Sequence, residues 1–473
     1  MLFRSCSVLL AAVCFAMSMT AAEGGQRDAR DGQATPPNIV FIMADDLGYG
    51  DLGCYGQQRI KTPHIDRLAA EGMKFTDCYA GSTVCAPSRC CLMSGLHSGH
   101  AYVRGNAQIP LRPRDVTVAE VLKSAGYVTG MIGKWGLGEP DTTGVPNRQG
   151  FDTWFGYLNQ HRAHNYYPDY LWDNQEKFLL PGNVVEDNVA GQRALYSHDL
   201  FTERALRFID KHRHERFFLY LPYTIPHANN EAGRQGMEVP SDAPYSDESW
   251  PQAQRNHAAM ITRLDGDVGR IMARLKGLGL DENTIVFFTS DNGPHKEGGG
   301  DPEFFNSSGP LRGYKRALYD GGIRVPMIAR WPGHVEAGSV NHFVWANWDF
   351  LPTAAELAGA EVPAEIDGIS VVPALIGEDQ AGRPQPEHEY LYWEFHERGF
   401  SQAARIGDFK GVRRGLDADV EVYDLATDIG EQTNVAAEHP QLVARIEDLF
   451  STARTESEHW PVNRGNQQQE GQR

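Results

Sequence analysis

Residues 85–95 read Cys-Ala-Pro-Ser-Arg-Cys-Cys-Leu-Met-Ser-Gly, and this is the most informative stretch of the chain. Pro87 follows Cys85 by two residues, and Arg89 follows it by four. Proline is favoured at the start of a helix, so a helix beginning here carries Arg89 about one turn beyond the cysteine. The positive end of that helix would face an anion bound beside Cys85. The alternative is an ordinary buried thiol, because free cysteines are most often small core residues.

Outward from this stretch, short apolar runs alternate with helix-spaced apolar patterns along most of the 473 residues. A chain of this length is too long for one small core and indicates a large domain with a lesser one. Strands that alternate with helices are typical of an α/β sheet with helices on both faces. The predicted elements are the strands Asn38–Met43, Phe217–Leu221, Thr284–Thr289 and Val325–Trp331 and the helices Ala194–His212 and Gln254–Leu278.

The pattern changes after about residue 375. Residues 390–395, 403–412 and 420–425 read as antiparallel strands, and a helix follows near Pro440–Arg454. We therefore expect a main domain over residues 38–374, a smaller C-terminal α+β subdomain over 375–462, with an antiparallel sheet and a helix, and a mobile polar tail over 463–473.

The N-terminus reads as a secretory signal over residues 1–22. Arg4 precedes an apolar run from Val8 to Met17, and small residues around Ala21 offer a cleavage site. Residues 23–37 then read as a flexible leader. The alternative is an anchor that is never cleaved. We expect a periplasmic or secreted protein without stable membrane insertion after signal cleavage, since no other stretch is apolar enough to span a bilayer.

Five cysteines remain once Cys6 and Cys14 leave with the signal. An odd number in an exported protein leaves one thiol over, and a chemically converted Cys85 would account for it. The sequence leaves open whether the other four cysteines form disulfides, and these four are Cys54, Cys78, Cys90 and Cys91.

The formal net charge of −18 argues against general binding of nucleic acid or of anionic membranes. The same charge opposes the approach of an anionic substrate. Such a substrate would need a local cluster of cationic side chains to overcome that field.

Polar residues follow three of the predicted strands. Asp45 and Asp46 follow the first strand, His227 follows the second after a short turn, and Asp291 and Asn292 follow the third. In open α/β sheets, sites form beyond the carboxyl ends of strands. Carboxylate and amide oxygens are suited to Ca²⁺ or Mg²⁺, and Ca²⁺ is favoured because an all-protein oxygen cage suits it better. Taken singly, these motifs are also typical of helix caps and turns.

The order Cys-x-Pro-Ser-Arg followed by Met-Ser-Gly resembles the signature of the type I sulfatases, in which the cysteine is oxidised to formylglycine by a formylglycine-generating or equivalent maturation enzyme. In that family the aldehyde is hydrated, and one of its oxygens attacks a sulfate ester. Further stretches that resemble the family pattern are Thr62–Ala69, Leu311–Gly313, Gly321–Pro326, Tyr423–Leu425, Glu431 and Asn434. The resemblance therefore covers nearly the whole mature chain.

The resemblance implies an alkaline-phosphatase-like fold with a large central sheet, mixed but mostly parallel and flanked by helices, in a catalytic domain at 38–374. It also implies a bound divalent cation and hydrolysis of sulfate esters, with His227 or Lys315 protonating the departing alcohol. The implied catalytic residues are Cys85, Arg89, Lys134, His227 and Lys315. The implied metal ligands are Asp45, Asp46, the converted Cys85, Asp291 and Asn292.

One position departs from the family. Relatives read Gly-Lys-Trp-His where this chain reads Gly-Lys-Trp-Gly, so Gly136 stands where the family has its usual base. His161, His164 and His295 lie in loops near the segments that form the site. They are candidates to replace that base or to contact the substrate, although loop histidines are commonly just solvated.

Substrate specificity is expected from residues 141–175, which are dense in aromatics. Flat rings with polar rims suit sugar faces, and plain core packing is the alternative. By resemblance, the expected partner is a sulfated carbohydrate of galactose type. Two other functions stay open: a phosphonate or phosphodiester hydrolase on the same fold, and a glycan-binding protein without turnover.

Overall fold

The computed structural model of the protein describes residues 36–397 and 399–462. The predicted signal peptide, residues 23–35 of the predicted leader and the predicted tail lie outside the described residues. Pro37 is buried, and its carbonyl accepts a hydrogen bond of 2.7 Å from the Tyr127 hydroxyl. Within the described ranges, none of the helices is both long enough and apolar enough to cross a membrane.

The strands of the described residues are β1 (Asn38–Asp45), β2 (Met73–Phe75), β3 (Cys78–Tyr79), β4 (Val128–Lys134), β5 (Thr153–Tyr157), β6 (Tyr170–Asp173), β7 (Glu176–Leu179), β8 (Val184–Glu186), β9 (Val189–Gln192), β10 (Phe217–Pro226), β11 (Thr284–Ser290), β12 (Met327–Arg330), β13 (Ser339–Asn341), β14 (Trp345–Ala346), β15 (Leu391–Phe395), β16 (Ser401–Ile406), β17 (Phe409–Arg414) and β18 (Glu421–Asp424). The main sheet follows the order β13-β2-β12-β11-β1-β10-β4-β5-β6-β7.

The helices lie on both faces of this sheet and around the smaller one. Those of the described residues are α1 (Pro63–Ala70), α2 (Cys85–Ser94), α3 (Val118–Ser124), α4 (Ser197–Lys211), α5 (Gln252–Gly277), α6 (Pro302–Phe305), α7 (Asp320–Ile323), α8 (Phe350–Ala358), α9 (Val372–Ile376), α10 (Glu378–Ala381) and α11 (Pro440–Thr452).

The centre of the main sheet is parallel. Strands β11, β1, β10, β4 and β5 run in one direction, while β12 and β6 pair with the two ends of this group in the antiparallel sense. The predicted fold, an α/β sheet that is mixed but mostly parallel, is therefore confirmed. The parallel arrangement matters for function because it brings the carboxyl ends of β1, β10, β11 and β4 to one edge.

Strand β1 is buried on both faces. Its alternate residues Ile39 and Phe41 pack into the core that includes α2, α3 and α8, whereas Val40 and Ile42 pack into the core that includes α4 and α5. A strand covered on both sides has no polar face, which is why it reads as a continuous apolar run.

The C-terminal part forms a separate antiparallel sheet in the order β15-β16-β17-β18, as predicted. Helix α11 packs on it through Ile446 and Phe450. The single strand predicted over residues 403–412 is wrong, because Gly407 (φ 57°) takes a left-handed conformation and turns the chain between β16 and β17.

Candidate active site

The end of β1 is where the site begins. Pairing of β1 with β10 shifts register between Met43 and Asp45, and Asp46 adopts a left-handed backbone (φ 63°). The Asp46 amide then donates to Asp291 Oδ1 at 3.1 Å, which joins the ends of β1 and β11. All three carboxylates, those of Asp45, Asp46 and Asp291, are completely buried. Such strained non-glycine residues concentrate at functional sites.

Helix α2 begins at Cys85, with Val84 as its N-cap, and not at Pro87 as expected. Pro87 is the third residue of the helix, where its missing N–H removes no helical hydrogen bond. The whole helix is buried, and its first residue places Cys85 Sγ 3.2 Å from Asp45 Oδ1. The predicted nucleophile position and the predicted metal-binding position are therefore in contact.

Arg89 ties three segments together. Its Nε and Nη2 donate to Asp291 Oδ2 at 3.1 and 2.8 Å, and its Nη1 donates to the Lys134 carbonyl at 2.5 Å. A planar guanidinium can satisfy these acceptors at once, whereas a lysine ammonium cannot do so in the same geometry. Arg89 thus holds α2, β11 and the end of β4 in fixed relation.

Two lysines contact the aspartates: Lys134 lies at the end of β4, and Lys315 lies in the loop before α7. Lys134 Nζ donates to Asp45 Oδ2 at 2.7 Å, and Lys315 Nζ donates to Asp46 Oδ2 at 2.8 Å. Burial alone would raise the pKa of Asp45, but the charges of Lys134 and Arg89 hold it well below its usual value. The cluster of cations that the sequence required lies beside Cys85.

His227 is held as a neutral imidazole. Its Nδ1 donates to the Ala228 carbonyl at 2.6 Å, so Nε2 carries the lone pair and lies 3.1 Å from Lys315 Nζ. Burial, followed by the positive charge of Lys315, lowers the pKa of His227 well below its usual value. The proton at this contact therefore resides on Lys315.

The carboxylate and amide oxygens at this site fit a hard divalent cation. Asp45, Asp46, Cys85 and His227 each offer a ligand atom, and these atoms lie within 4.8 Å of one another. Asn292 Nδ2 donates to Asp46 Oδ1 at 2.6 Å, while the Asn292 amide oxygen is buried without a partner among the described residues. An orphaned oxygen beside carboxylates is the donor chemistry that Ca²⁺ and Mg²⁺ take, whereas the His227 nitrogen faces Lys315.

The three loop histidines occupy different surroundings. His164 stacks on His227 with ring centroids 4.9 Å apart, and its Nδ1 lies 3.1 Å from the Glu231 carboxylate. His161 is largely exposed, with Nε2 3.3 Å from the same carboxylate. His295 is buried with both nitrogens engaged: Nε2 donates to the Pro226 carbonyl at 3.2 Å, and Nδ1 accepts from the Glu297 amide at 3.0 Å.

The Gln160 side chain occupies the space that a side chain at position 136 would take. A Cβ at this position would lie 1.9 Å from Gln160 Nε2. Both polar atoms of the Gln160 amide are buried without a partner among the described residues. The two residues line a cavity of about 310 Å³ together with Asn106, Glu139 and His161.

Sequence reasoning missed three charged residues around Lys315. Glu297 Oε2 accepts from Lys315 Nζ at 3.1 Å, Arg316 donates to Glu297, and Arg316 Nε donates to Glu397 Oε2 at 3.2 Å. The available signals were that Arg316 directly follows Lys315 and that Glu297 comes two residues after His295. No local feature of the sequence indicates that Glu397 lies near Lys315.

Most aromatics of residues 141–175 pack in the core. Phe151 and Trp154 belong to one core cluster, and Phe155, Tyr157 and Tyr166 belong to the other. Their rings are therefore unavailable to a sugar face. The alternative of plain core packing holds for them.

The described cysteines form no disulfide with one another. Cys78, Cys85, Cys90 and Cys91 are buried thiols, and Cys54 is partly exposed. The question of pairing that the sequence left open is answered by the absence of a bond among these five.

Comparison with known proteins gives a consistent result. The family model described as Sulfatase matches residues 37–360, and the model described as N-sulphoglucosamine sulphohydrolase, C-terminal, matches residues 313–455. The chain is 31% identical to the N-acetylgalactosamine-6-sulfatase of Mus musculus, over 91% of this chain and 83% of the relative. It is also 31% identical to the N-acetylgalactosamine-6-O-sulfatase of Bacteroides thetaiotaomicron, over 89% and 93% of the two chains.

A solved structure agrees with the sequence relatives. Ps i-CgsB in complex with k-i-k-neocarrahexaose superposes with a TM-score of 0.76 at 26% identity, over 91% of this chain and 96% of that one. The two family models together span residues 37–455, which include the main sheet and the C-terminal sheet. The chain therefore belongs to the sulfatase family of the alkaline phosphatase superfamily, and it is a sulfuric ester hydrolase.

Proposed function

We propose that this enzyme removes sulfate from a sulfated carbohydrate, with a hydrated formylglycine made from Cys85 as nucleophile. The observation that carries the proposal is the contact of 3.2 Å between Cys85 Sγ and Asp45 Oδ1 in a buried site that also holds Lys134 and Arg89. An unmodified thiol at that position would be a poor nucleophile, because burial and then the Asp45 charge raise the pKa of Cys85 well above the usual range.

The proposed metal is Ca²⁺, with Mg²⁺ as the less favoured ion. Bound there, a divalent cation supplies electrostatic activation of the nucleophile and polarisation of the sulfuryl group. The residues that would hold it are Asp45, Asp46, position 85, Asp291 and Asn292. The orphaned oxygen of Asn292 and the left-handed backbone at Asp46 support this ligand set.

Cationic side chains perform the binding step. Lys134 and Lys315 are almost completely buried, so they can neutralise sulfate oxygens without competition from water. Arg89 donates to Asp291 and to the Lys134 carbonyl, so its role is to hold the segments around position 85. An anion buried without such partners would be prohibitively unfavourable. Preorganised charge of this kind in a dry site is commonly the largest contribution to the rate.

Lys315 is the better placed of the two proposed acids. The neutral His227 accepts from Lys315 Nζ at 3.1 Å, which leaves the ammonium as the group that holds a proton where the alcohol would depart. His227 then orients Lys315 by accepting its hydrogen bond. His161 and His164, which share the Glu231 carboxylate, are proposed substrate contacts. His295 was proposed with them, but its two engaged nitrogens favour a role in positioning Glu297.

The substrate class is supported by the relatives. Two of them are N-acetylgalactosamine-6-sulfatases, and a similar structure is a complex with a neocarrahexaose. A sulfated galactose-type sugar is therefore the first substrate to test. Export to the periplasm or medium, and maturation by a formylglycine-generating enzyme, belong to the same proposal.

The test combines mass spectrometry and assay. The enzyme is produced together with a formylglycine-generating enzyme, and the peptide containing residue 85 is expected to weigh about 18 Da less than its cysteine form. Galactose 6-sulfate and 4-nitrophenyl sulfate are expected to be hydrolysed faster than an aryl phosphodiester. Cys85→Ala is the matched control and is expected to lose at least about 1,000-fold in kcat/KM. Full activity with an intact thiol at position 85 would overturn the proposal.

A further inference from the structure

A chain of three charged residues leads from Lys315 to the C-terminal subdomain. We name Glu297, Arg316 and Glu397 the rim network. Glu297 Oε2 lies 3.1 Å from Lys315 Nζ, Arg316 donates to Glu297, and Arg316 Nε lies 3.2 Å from Glu397 Oε2. Glu397 lies in the loop between β15 and β16, whereas Glu297 and Arg316 lie in loops between β11 and α7, so the network connects these loops to the C-terminal subdomain beside the proposed leaving-group lysine.

The exposed fraction of the side chain increases from Lys315 to the members of the rim network. The Lys315 side chain is 2% exposed, whereas Glu297, Arg316 and Glu397 are 21%, 22% and 30% exposed. The network therefore extends from the buried sulfate-binding lysine to the surface. Because Lys315 is the proposed acid for the departing alcohol, partly exposed side chains beside it lie on the side where the sugar is expected to leave.

Arg316 is fixed in place by its backbone. It has a left-handed conformation (φ 74°), and its amide donates to the Thr83 carbonyl at 3.1 Å, two residues before Cys85. The amide of Lys315 donates to the Pro294 carbonyl at 2.8 Å. These contacts aim two successive side chains in different directions, Lys315 inward to Asp46 and Arg316 outward to Glu397.

We propose that the rim network recognises ring hydroxyl groups of the sugar that carries the sulfate, and so determines carbohydrate specificity. This inference rests on the proposed function. Carboxylate oxygens accept from hydroxyls and a guanidinium donates to them, which matches two neighbouring hydroxyls of a pyranose ring. The Glu297 charge beside Lys315 disfavours a second anion there, so the group bound on this side is neutral.

The test compares a sugar substrate with one that lacks ring hydroxyls. Galactose 6-sulfate, N-acetylgalactosamine 6-sulfate and 4-nitrophenyl sulfate are assayed with Glu397→Gln and Arg316→Gly, since glycine adopts the left-handed conformation freely. The matched control is Glu389→Gln, which alters another surface ion pair of the subdomain, Glu389 with Arg445 at 3.0 Å. Thermal melts check that each variant is folded.

The expected result is a ratio of kcat/KM for sugar sulfate over 4-nitrophenyl sulfate that falls about 10-fold in both rim variants, mainly through KM, and stays constant in the control. An equal loss on both substrates would mean that the network acts only through Lys315 and would overturn the inference, as would an unchanged ratio. A wild-type enzyme that hydrolyses 4-nitrophenyl sulfate and neither sugar sulfate would overturn the proposed substrate class together with this inference.

Discussion

Lys134 donates to Asp45 at 2.7 Å, and both side chains are buried to within 1%. The pair joins the carboxyl ends of β4 and β1, which are separated in the sheet by β10. A lysine held this way keeps its position and charge before substrate arrives. The site is therefore preorganised for an anion in spite of the protein's negative charge.

Replacing Lys134 tests that preorganisation. Lys134→Ala is expected to lower kcat/KM for a sulfate ester by about 100- to 1,000-fold, the range found when one preorganised donor is removed. The control is Lys123→Ala, which removes an exposed lysine paired with Asp152 at 2.6 Å. Steady-state kinetics on 4-nitrophenyl sulfate measure both. Equal kinetics in the two variants would contradict the role assigned to Lys134.

Removal of the metal gives a second prediction. EDTA is expected to abolish activity and CaCl₂ to restore it, with Mg²⁺ less effective. Ligand binding to the folded state alone stabilises it by about 2.7 kcal/mol at 100 times the dissociation constant, so the melting temperature is expected to rise with CaCl₂. Asn292→Ala, which removes the orphaned oxygen, is expected to reduce that rise. A melting temperature insensitive to both EDTA and CaCl₂ would rule out this site.

The sequence predicted best those strands that are buried on both faces. Strands β1 and β11 are covered on both faces, so they appear in the sequence as unbroken apolar runs, and both were predicted to within two residues. Strand β7 (Glu176–Leu179) was missed because all four of its residues are exposed and it carries no periodic signal. The predicted helix at Ala194 begins instead at Ser197, since tertiary contacts and not the apolar pattern determine where a helix starts.

The sequence predicted those site residues that lie at the ends of strands. Asp45 ends β1 and Asp291 directly follows β11, and a topological rule places the carboxyl ends of such parallel neighbouring strands together. Glu297, Arg316 and Glu397 follow no such rule. Arg316 reaches Glu397 across 81 positions of sequence through a left-handed backbone, and that conformation depends on contacts made only in the folded chain.

The glycine at position 136 gives a third prediction. Gly136 has φ 82°, and an added Cβ would lie 1.9 Å from Gln160 Nε2. Gly136→Ala is therefore expected to lower the free energy of unfolding by about 1–2 kcal/mol, from backbone strain and this contact. In the double variant with Gln160→Ala, the contact is relieved and about 0.5–1 kcal/mol is expected to return. Urea denaturation measures the cycle, and strictly additive effects would contradict the steric explanation.

A buried ion network links the C-terminal sheet to helix α7. Lys410 Nζ lies 2.6 Å from Asp320 Oδ1 and 3.0 Å from Glu431 Oε1, with all three side chains completely buried. Lys410→Met leaves Glu431 without its cation, whereas Asp320 stays paired with Arg324 at 3.2 Å, and breaking a buried pair this way costs about 3–5 kcal/mol of unfolding free energy. Arg414→Ala, which breaks an exposed pair with Glu421, is expected to cost less than about 1 kcal/mol. Similar losses in the two variants would contradict a role for the network in stability.

The same network predicts how stability depends on pH. Burial, followed by the Asp320 charge, raises the pKa of Glu431 from 4.5 to about 7 against the pull of Lys410. A raised pKa means that the folded state holds the proton more tightly, so this contribution to stability is complete below pH 4.5 and is lost as the pH rises through about 7. Burial would also raise the pKa of Asp320, but Lys410 and Arg324 lower it from 3.8 to about 2, so that its contribution is lost only as the pH falls from 3.8 through about 2. Between pH 4.5 and 7, the wild type is therefore expected to lose up to about 3 kcal/mol of unfolding free energy relative to Glu431→Gln. Urea denaturation at several pH values measures this difference, and parallel pH profiles for the two proteins would show that Glu431 does not titrate in that window.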